Sequence, residues 1–368
     1  MSTAQAALSK DLSQQKTGGL RRYVALDAYR GFIMLLLASE GFGFAALKND
    51  PAWGRVASWF DHVPWEGAVF WDMIQPAFMF MVGVAMPFAM ARRTEKGATW
   101  GDNLRHVLMR SVSLIILSQI LMSVSRGRIT PQLINVLSQI AFTYFLSFLI
   151  MQWKWRYQVL AAAALLAFWT ALLFAFPGPD GPFSKTNSVG LVVDRAIFHY
   201  DYDPAYSTLN FIPSTIWTLS GVWVGRFLMT ARSLSETLRI LAVGMAVTFA
   251  SGLVLRPWIP MIKQLCTPSF IFYSLGWVLL MFIGFYWLIE MRGWRRAAFP
   301  LVVVGMNSIF IYSLSELLHG WLDHAVGVFT FHFSFLGTFA PVAQSTCVLL
   351  VMWYLCYWLY RQKIFIRL

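Results

Sequence analysis

A histidine in a short polar loop is the residue of this sequence best suited to proton transfer. His62 lies in the segment DHVPWEG, residues 61–67, between two long apolar runs. An imidazole changes its protonation near neutral pH, and a titratable group at a membrane face is typical of a functional site. We therefore predict that His62 is a catalytic base. The alternative is a histidine that only anchors the loop at the membrane interface.

Two acidic residues are candidates to act with His62. Asp72 lies in the next apolar run, where burying a carboxylate costs about 2.5 to 3.5 kcal/mol at a span centre and less near its end. It could orient the imidazole or hold a substrate hydroxyl, or it could be a helix-packing hydrogen-bonding group. Glu40 lies about 20 Å along a helix from Asp27, towards the outer leaflet. We expect Glu40 to line the pocket of His62; a neutral structural glutamate is the alternative.

Arginines near the ends of the first and third apolar runs are candidates for phosphate binding. Asp27 and Arg30, in LDAYRG, lie three residues apart on one helix face and could form a salt bridge. Arg30 could equally bind a phosphate that enters from the cytoplasm, because a guanidinium forms two parallel bonds to a phosphate. Arg110 has the same two possibilities.

Polar residues also recur at helical spacing inside apolar runs. In the apolar run of residues 300–320, polar residues that follow Asn307 at successive offsets of three and four form a stripe on one helix face. Asn135 and Gln139 form a similar pair in another run. Several such bands favour a channel through the bundle over isolated interhelical hydrogen bonds. The stripe consists of Ser308, Tyr312, Glu316 and His319.

These residues must be positioned by membrane-spanning helices. Hydrophobic residues make up 58% of the chain and charged residues 12%, whereas a soluble domain carries about 25% charged residues. The lipid-facing alternation of a barrel strand is missing, so we predict an all-α integral membrane protein, a bundle of about ten helices. The predicted spans are 25–47, 67–91, 107–125, 132–151, 157–176, 208–229, 237–255, 267–290, 300–320 and 338–360.

Charge predicts the orientation of the chain. The larger share of the 29 lysine and arginine residues falls in the N-terminal segment, the even-numbered loops and the C-terminus. Both termini are therefore predicted to be cytoplasmic. We expect residues 1–20 to be a flexible cytoplasmic tail and residues 21–368 to be one transmembrane domain. The net charge of +12 is spread over short loops, which indicates no nucleic-acid partner.

Other segments narrow the choice of chemistry. Cys266, Cys347 and Cys356 lack metal-ligand spacing, so we expect no metal and assign them to packing. The sequence has no P-loop, GxSxG or HExxH motif, which argues against ATPases and common hydrolases. Residues 177–207 contain PGPDGPF and HYDYDPAY. That connection is either a sugar-binding lid or an ordinary extracytoplasmic loop.

Five segments together resemble the heparan-α-glucosaminide N-acetyltransferase family of transmembrane acyltransferases, including its bacterial members. They are LDAYRG, HVPWEG, DMIQPAFMFMVGVAMP, GMNSIFIY and YRQKIF. The chain departs from the family pattern at Glu40 or Gly41, where the family has an asparagine, and at Ser138-Gln139, where it has a Gln-Arg pair. The matching motif residues are His62, Trp65 and Gly67; Asp27, Arg30 and Gly31; Asp72 and Pro76; and Gly305 to Ser308.

The resemblance implies a transmembrane acetyltransferase domain. Acetyl would pass from cytoplasmic acetyl-CoA to an extracytoplasmic amino sugar or glycan, by N- or O-acetylation, in a homodimer of the bacterial inner membrane. His62 would be the base or the acyl carrier, and Asp72 and Glu40 would support it. The cofactor-binding residues would be Arg30, Arg110, Asn307, Ser308 and Gln139. The substrate-binding residues would be Trp65, Glu66, Glu316 and Asp27.

Two other functions are alternatives to an acetyltransferase. A secondary transporter for a sugar or an organic anion would explain a polar band through the spans, although matched interrupted helices are not evident in the sequence. A purely structural scaffold would not require so many acids and amides inside the membrane.

Overall fold

A computed structural model describes residues 23–199, 206–230 and 233–366. The predicted tail and most of HYDYDPAY lie outside the described residues. Within these ranges the regular structure is helical, and the only β-type pairings are two isolated bridges, Glu66 with Ile262 and Gly178 with Gly181. The predicted all-α class is confirmed.

The described ranges contain thirteen α-helices, joined by short loops and 3-10 turns. They are α1 Val24–Ala38, α2 Gly54–Ala57, α3 Ile74–Glu95, α4 Trp100–Arg126, α5 Val136–Met151, α6 Trp155–Ala175, α7 Val189–Phe198, α8 Phe211–Leu228, α9 Leu234–Leu255, α10 Pro268–Tyr286, α11 Phe299–Met306, α12 Ser308–Thr330 and α13 Ala340–Arg361. A π-helical turn, Trp287–Met291, extends α10.

Seven helical stretches in the described ranges are long and apolar enough to cross a membrane, by length and composition. The chain is therefore a multi-pass membrane protein, as predicted. The last stretch includes both α12 and α13, which the segment Phe331–Phe339 separates. The seven stretches are Val24–Leu47, Phe70–Glu95, Trp100–Arg126, Trp155–Ala175, Leu234–Leu255, Pro268–Met291 and Ser308–Arg361.

The first predicted span is not one continuous helix. Its helix α1 ends at Ala38, and Glu40 then adopts a left-handed conformation with φ 47°. The 3-10 turns of Gly41–Leu47 follow. The apolar composition of residues 25–47 predicted a single helix because hydropathy does not record where the backbone turns.

The ninth predicted span, 300–320, is divided into α11 and α12 at Asn307. This residue leaves the helical conformation at φ −122° and ψ 38°. Its side chain donates to the carbonyl of Ile364 at 3.2 Å and accepts from the amide of Ile366 at 3.0 Å. The segment after α13 therefore satisfies the polar groups at the break.

Helix α3 lies at the centre of the bundle. In its most apolar stretch 83% of the residues are buried inside the protein, against 11% for α9. Glycines allow α3 and α8 to cross closely: a Cβ on Gly83 would lie 1.9 Å from the Thr218 carbonyl oxygen, and one on Gly221 would lie 2.1 Å from that of Phe80. Small residues at such crossings are typical of membrane helices, which associate through close packing.

Candidate active site and cofactor cavity

Asp72 is the centre of a polar cluster at one end of α3. One carboxylate oxygen, Oδ2, accepts a hydrogen bond from the Val69 amide at 3.1 Å and so fixes the 3-10 turn Phe70–Met73 that precedes α3. The other oxygen, Oδ1, lies 2.7 Å from His62 Nδ1 and 3.1 Å from Lys263 Nζ. Because the side chain of Asp72 is only 1% exposed and that of His62 is 50% exposed, a buried acid holds an accessible imidazole.

Two loops that are distant in sequence bring Lys263 to this cluster. The amide of Gly67 donates to the carbonyl of Met261 at 2.9 Å, and Glu66 pairs with Arg256 at 3.7 Å. The loop that carries His62 is thereby joined to the connection between α9 and α10. Lys263 Nζ then lies 3.2 Å from His62 Nδ1, so that an acid, a base and a cation share one site.

The electrostatics of the cluster depend on burial. Burial lowers the pKa of Lys263, and the neighbouring carboxylate of Asp72 acts in the opposite direction. Lys263 is itself held by a well-bonded turn, in which the Cys266 amide donates to its carbonyl at 2.9 Å. Rigid support of this kind limits the geometries that the imidazole can adopt.

His62 and Lys263 line a cavity of about 340 Å³, which we call the histidine cavity. Two residues of the predicted polar stripe, Tyr312 and Glu316, also line it. The Tyr312 hydroxyl and the Asn135 side chain lie 3.1 to 3.3 Å apart and can each donate to the other. The other lining residues are Met34, Leu37, Trp71, Ile74, Gln75, Phe78, Met122, Ile134, Val136 and Tyr206.

A second cavity, of about 490 Å³, lies towards the other end of the same helices and is lined by three arginines; we call it the arginine cavity. Arg30, Arg92 and Arg110 line it together with Asp27 and Ser308. The remaining lining residues are Tyr23, Leu26, Phe78, Val82, Ala85, Phe88, Ala89, Leu114, Leu137, Ile140, Met306, Ile309 and Ile366.

The arginines differ in how far the protein satisfies them. Arg30 lies 3.9 Å from Asp27 and donates to the Gly305 carbonyl at 3.4 Å, so the predicted pair is present. The guanidinium of Arg110 lies 4.5 Å from the centre of the Tyr144 ring, and its buried Nε has no hydrogen-bond partner among the described residues. An unsatisfied guanidinium group in a cavity suits an anionic ligand.

The predicted acid Glu40 does not lie in the histidine cavity. Its side chain is 68% exposed and its Oε1 lies 3.6 Å from His319 Nδ1. The straight-helix prediction did not include the left-handed turn at Glu40, after which this side chain is exposed beside His319. Asp27, predicted to contact the acceptor, lines the arginine cavity instead, so it lies apart from His62.

Besides Asp72, which contacts His62 but is not a lining residue, four other predicted site residues lie outside the lining of both cavities. Both protons of the Gln139 side-chain amide are donated to backbone carbonyls, of Leu133 and Thr208. Asn307 binds the end of the chain, as described above. Glu66 pairs with Arg256, and Trp65 is partly buried in the same loop.

Three cavity residues were not predicted from the sequence: Lys263, Tyr206 and Phe78. Lys263 is a lone lysine in the apolar segment WIPMIKQLC, a signal that could have been noticed. Its ammonium lies 6.0 Å from the centre of the Tyr206 ring. In the sequence, nothing separates Phe78 from the other phenylalanines of its span. Only the tertiary structure shows that it lies between the two cavities.

Comparisons with known proteins connect this chain to enzymes of stated activity. It is 21% identical to the heparan-alpha-glucosaminide N-acetyltransferase of Mus musculus over 85% of the chain, and 22% identical to that of Homo sapiens over 94% of the chain. The matched regions make up 56% and 59% of those proteins, so the chain spans less than two thirds of their length. No family model matches the sequence. The five segments and these matches indicate the same family, and the chain is similar over most of its length to heparan-alpha-glucosaminide N-acetyltransferases.

Proposed function

We propose that this protein is a transmembrane acetyltransferase that uses acetyl-CoA as its donor. The acceptor is an amino sugar or a glycan on the opposite side of the membrane. One observation carries the proposal: His62, which Asp72 holds through a 2.7 Å contact, lines one cavity, and a group of arginines lines a second cavity on the same helices. The relationship to N-acetyltransferases supports the type of reaction.

The helices that line the cavities support a route between them. On α3, Ile74 lines the histidine cavity and Arg92 lines the arginine cavity. These residues are about 27 Å apart along a helix, close to the hydrocarbon thickness of about 30 Å. On α12, Ser308 lines the arginine cavity and Glu316 the histidine cavity. A donor that enters at the arginines is thus directed towards His62.

The arginine cavity suits the phosphates of acetyl-CoA. Three guanidinium groups line it, and the buried Nε of Arg110 has no partner in the described part of the chain. In this proposal Arg30, Arg92 and Arg110 hold the phosphates by charge-assisted hydrogen bonds. The bound thioester supplies an activated acetyl group. Ser308 adds a hydroxyl to the same wall.

His62 provides the proton transfer. When Nδ1–H donates to Asp72 Oδ1, the lone pair of the imidazole lies on Nε2. Nε2 can then accept the proton of the acceptor amine or hydroxyl, as the base does in a catalytic triad. Alternatively, Nε2 attacks the thioester carbonyl, the C–S bond breaks and CoA leaves as its thiolate. The acceptor amine or hydroxyl then attacks the acetyl group on Nε2, which frees the imidazole, and the proton of the acceptor goes to the thiolate or to solvent. The Lys263 ammonium balances the charge of the buried Asp72 carboxylate.

The histidine cavity is also lined by Glu316, Tyr312 and Asn135. We assign them to the acceptor, because a carboxylate and hydrogen-bonding groups suit an amino sugar with its amine and hydroxyls. Trp71 and Tyr206 provide aromatic surface in the same cavity, and Glu40 with His319 lies outside it.

The membrane arrangement belongs to the same proposal. The seven long stretches become eight spans when α12 and α13 are counted separately. With α5 and α8 as further spans, the chain crosses the membrane ten times and both termini are cytoplasmic. The arginine cavity then faces the cytoplasm, where acetyl-CoA is made available. We further propose a homodimer in a bacterial inner membrane, an arrangement that rests on the family resemblance.

The test is an acetyl-transfer assay with purified protein, labelled acetyl-CoA and glucosamine. We expect acetylated sugar from the unchanged protein and none from His62→Ala. His324→Ala is the matched control, because this exposed histidine lies on α12 outside both cavities. Full activity of His62→Ala would refute the assigned base.

A secondary transporter is the second candidate, because the two cavities lie towards opposite ends of one helix bundle. This function predicts uptake of a sugar or organic anion into proteoliposomes without acetyl-CoA. Acetyl transfer without such uptake would exclude it.

A further inference from the structure

The two cavities meet at one aromatic ring. Phe78 lines both the histidine cavity and the arginine cavity, and it is the only residue common to the two linings within the described ranges. It lies on the central helix α3, one turn after Ile74, and is only 6% exposed. The two cavities are therefore adjacent at this side chain.

The barrier at Phe78 is about one helical turn thick. On α1, Arg30 lines the arginine cavity and Met34 lines the histidine cavity. On α12 the change occurs between Ile309 and Tyr312. Neighbours three or four residues apart are separated by about 5 to 6 Å along a helix. A single layer of side chains therefore separates the cavities.

We propose that the ring of Phe78 is a movable gate that controls passage between the two cavities. This inference rests on the proposed function, because an acetyl group must cross this layer to reach His62. The space on both sides gives the ring room to change rotamer, which requires no movement of a whole helix. Met34, which lies next to the layer, has a flexible side chain that can adjust to such a change.

A thiol-labelling experiment tests the gate without any acetyl transfer. Cys266, Cys347 and Cys356 are replaced by alanine, and Leu37→Cys reports on the histidine cavity. A charged, membrane-impermeant methanethiosulfonate is added to vesicles of each orientation. With Phe78 present, we expect the reagent to reach this cysteine slowly from the Arg92 side.

The gate predicts different effects for two substitutions of Phe78. A minor open state is populated at most about 10% of the time, so Phe78→Ala should increase labelling from the Arg92 side about tenfold or more. Phe78→Trp should not increase it. Phe88→Ala is the matched control, because Phe88 is also nearly buried and lines the arginine cavity alone. Equal rates with Phe78, Phe78→Ala and Phe88→Ala would overturn the proposal.

A second measurement separates failure of the gate from failure of the proposed function. We expect Phe78→Trp to bind acetyl-CoA as the unchanged protein does but to lose most acetyl transfer. Labelling that depends on Phe78 in a protein without transferase activity would support the gate and contradict the enzyme. Labelling that ignores Phe78 in an active enzyme would contradict the gate alone.

Discussion

His62 Nδ1 lies 2.7 Å from Asp72 Oδ1, and the other oxygen of Asp72 accepts the Val69 amide at 3.1 Å. The carboxylate thus accepts hydrogen bonds on both sides, which orients the imidazole relative to the first turn of the central helix. The same arrangement explains why an amide should not replace the acid.

Asp72→Asn should reduce acetyl transfer about 100-fold or more, the usual contribution of a positioned acid or base. If the amide oxygen accepts from Val69, the NH2 group faces the Nδ1 of His62 and reverses the favoured tautomer. The measurement is kcat in the glucosamine assay. Asp61→Asn is the control, because Asp61 is in the same loop but pairs with Lys48 at 3.3 Å. Activity above half of the original in Asp72→Asn would contradict this role.

Lys263→Met should change how the stability of the protein depends on pH. Burial lowers the pKa of Lys263, whereas an unfolded lysine titrates near about 10.4. Between these two pKa values the unfolded chain binds more protons, so Lys263 makes folding more favourable as pH rises. We therefore expect the difference in free energy of unfolding between the unchanged protein and Lys263→Met to increase as the pH rises towards about 10.4. Thermal unfolding in detergent at several pH values measures it; a falling difference would contradict the assignment.

Arg110→Gln should raise the KM for acetyl-CoA by about tenfold or more, because hydrogen bonds to charged groups contribute about 1.5 to 3 kcal/mol. The kcat should change little, since Arg110 lines the arginine cavity and not the histidine cavity. Arg156→Gln is the matched control, because the guanidinium of Arg156 packs on Tyr157 outside both cavities. A KM equal to that of the control would show that Arg110 does not hold the donor.

Gly83→Ala should destabilise the bundle, because its new Cβ would lie 1.9 Å from the Thr218 carbonyl oxygen. Overpacking of this kind typically costs about 1 to 3 kcal/mol. Gly284→Ala offers the comparison, since nothing lies within 4 Å of a Cβ at that position. Thermal unfolding in detergent should show a lower midpoint for Gly83→Ala alone. Equal midpoints for both variants would contradict the close α3 and α8 crossing.

Much of the fold could be predicted from local pattern. Apolar runs of span length predicted a multi-pass helical protein, and five short segments predicted the family relationship, because hydropathy and motifs are properties of consecutive residues. The spacing of Ser308, Tyr312 and Glu316 predicted one helix face, and α12 carries all three. The role of His62 remains a prediction that the geometry supports.

What tertiary structure alone decided is which distant residues meet. Lys263 reaches His62 across about 200 positions through the pairing of two loops, whereas Glu40, predicted to line the same pocket, is exposed beside His319. The position of Phe78 between two cavities depends on how several helices pack around it. Helical periodicity specifies the face of one helix; contacts between helices depend on crossing and loop geometry, which a single sequence does not record.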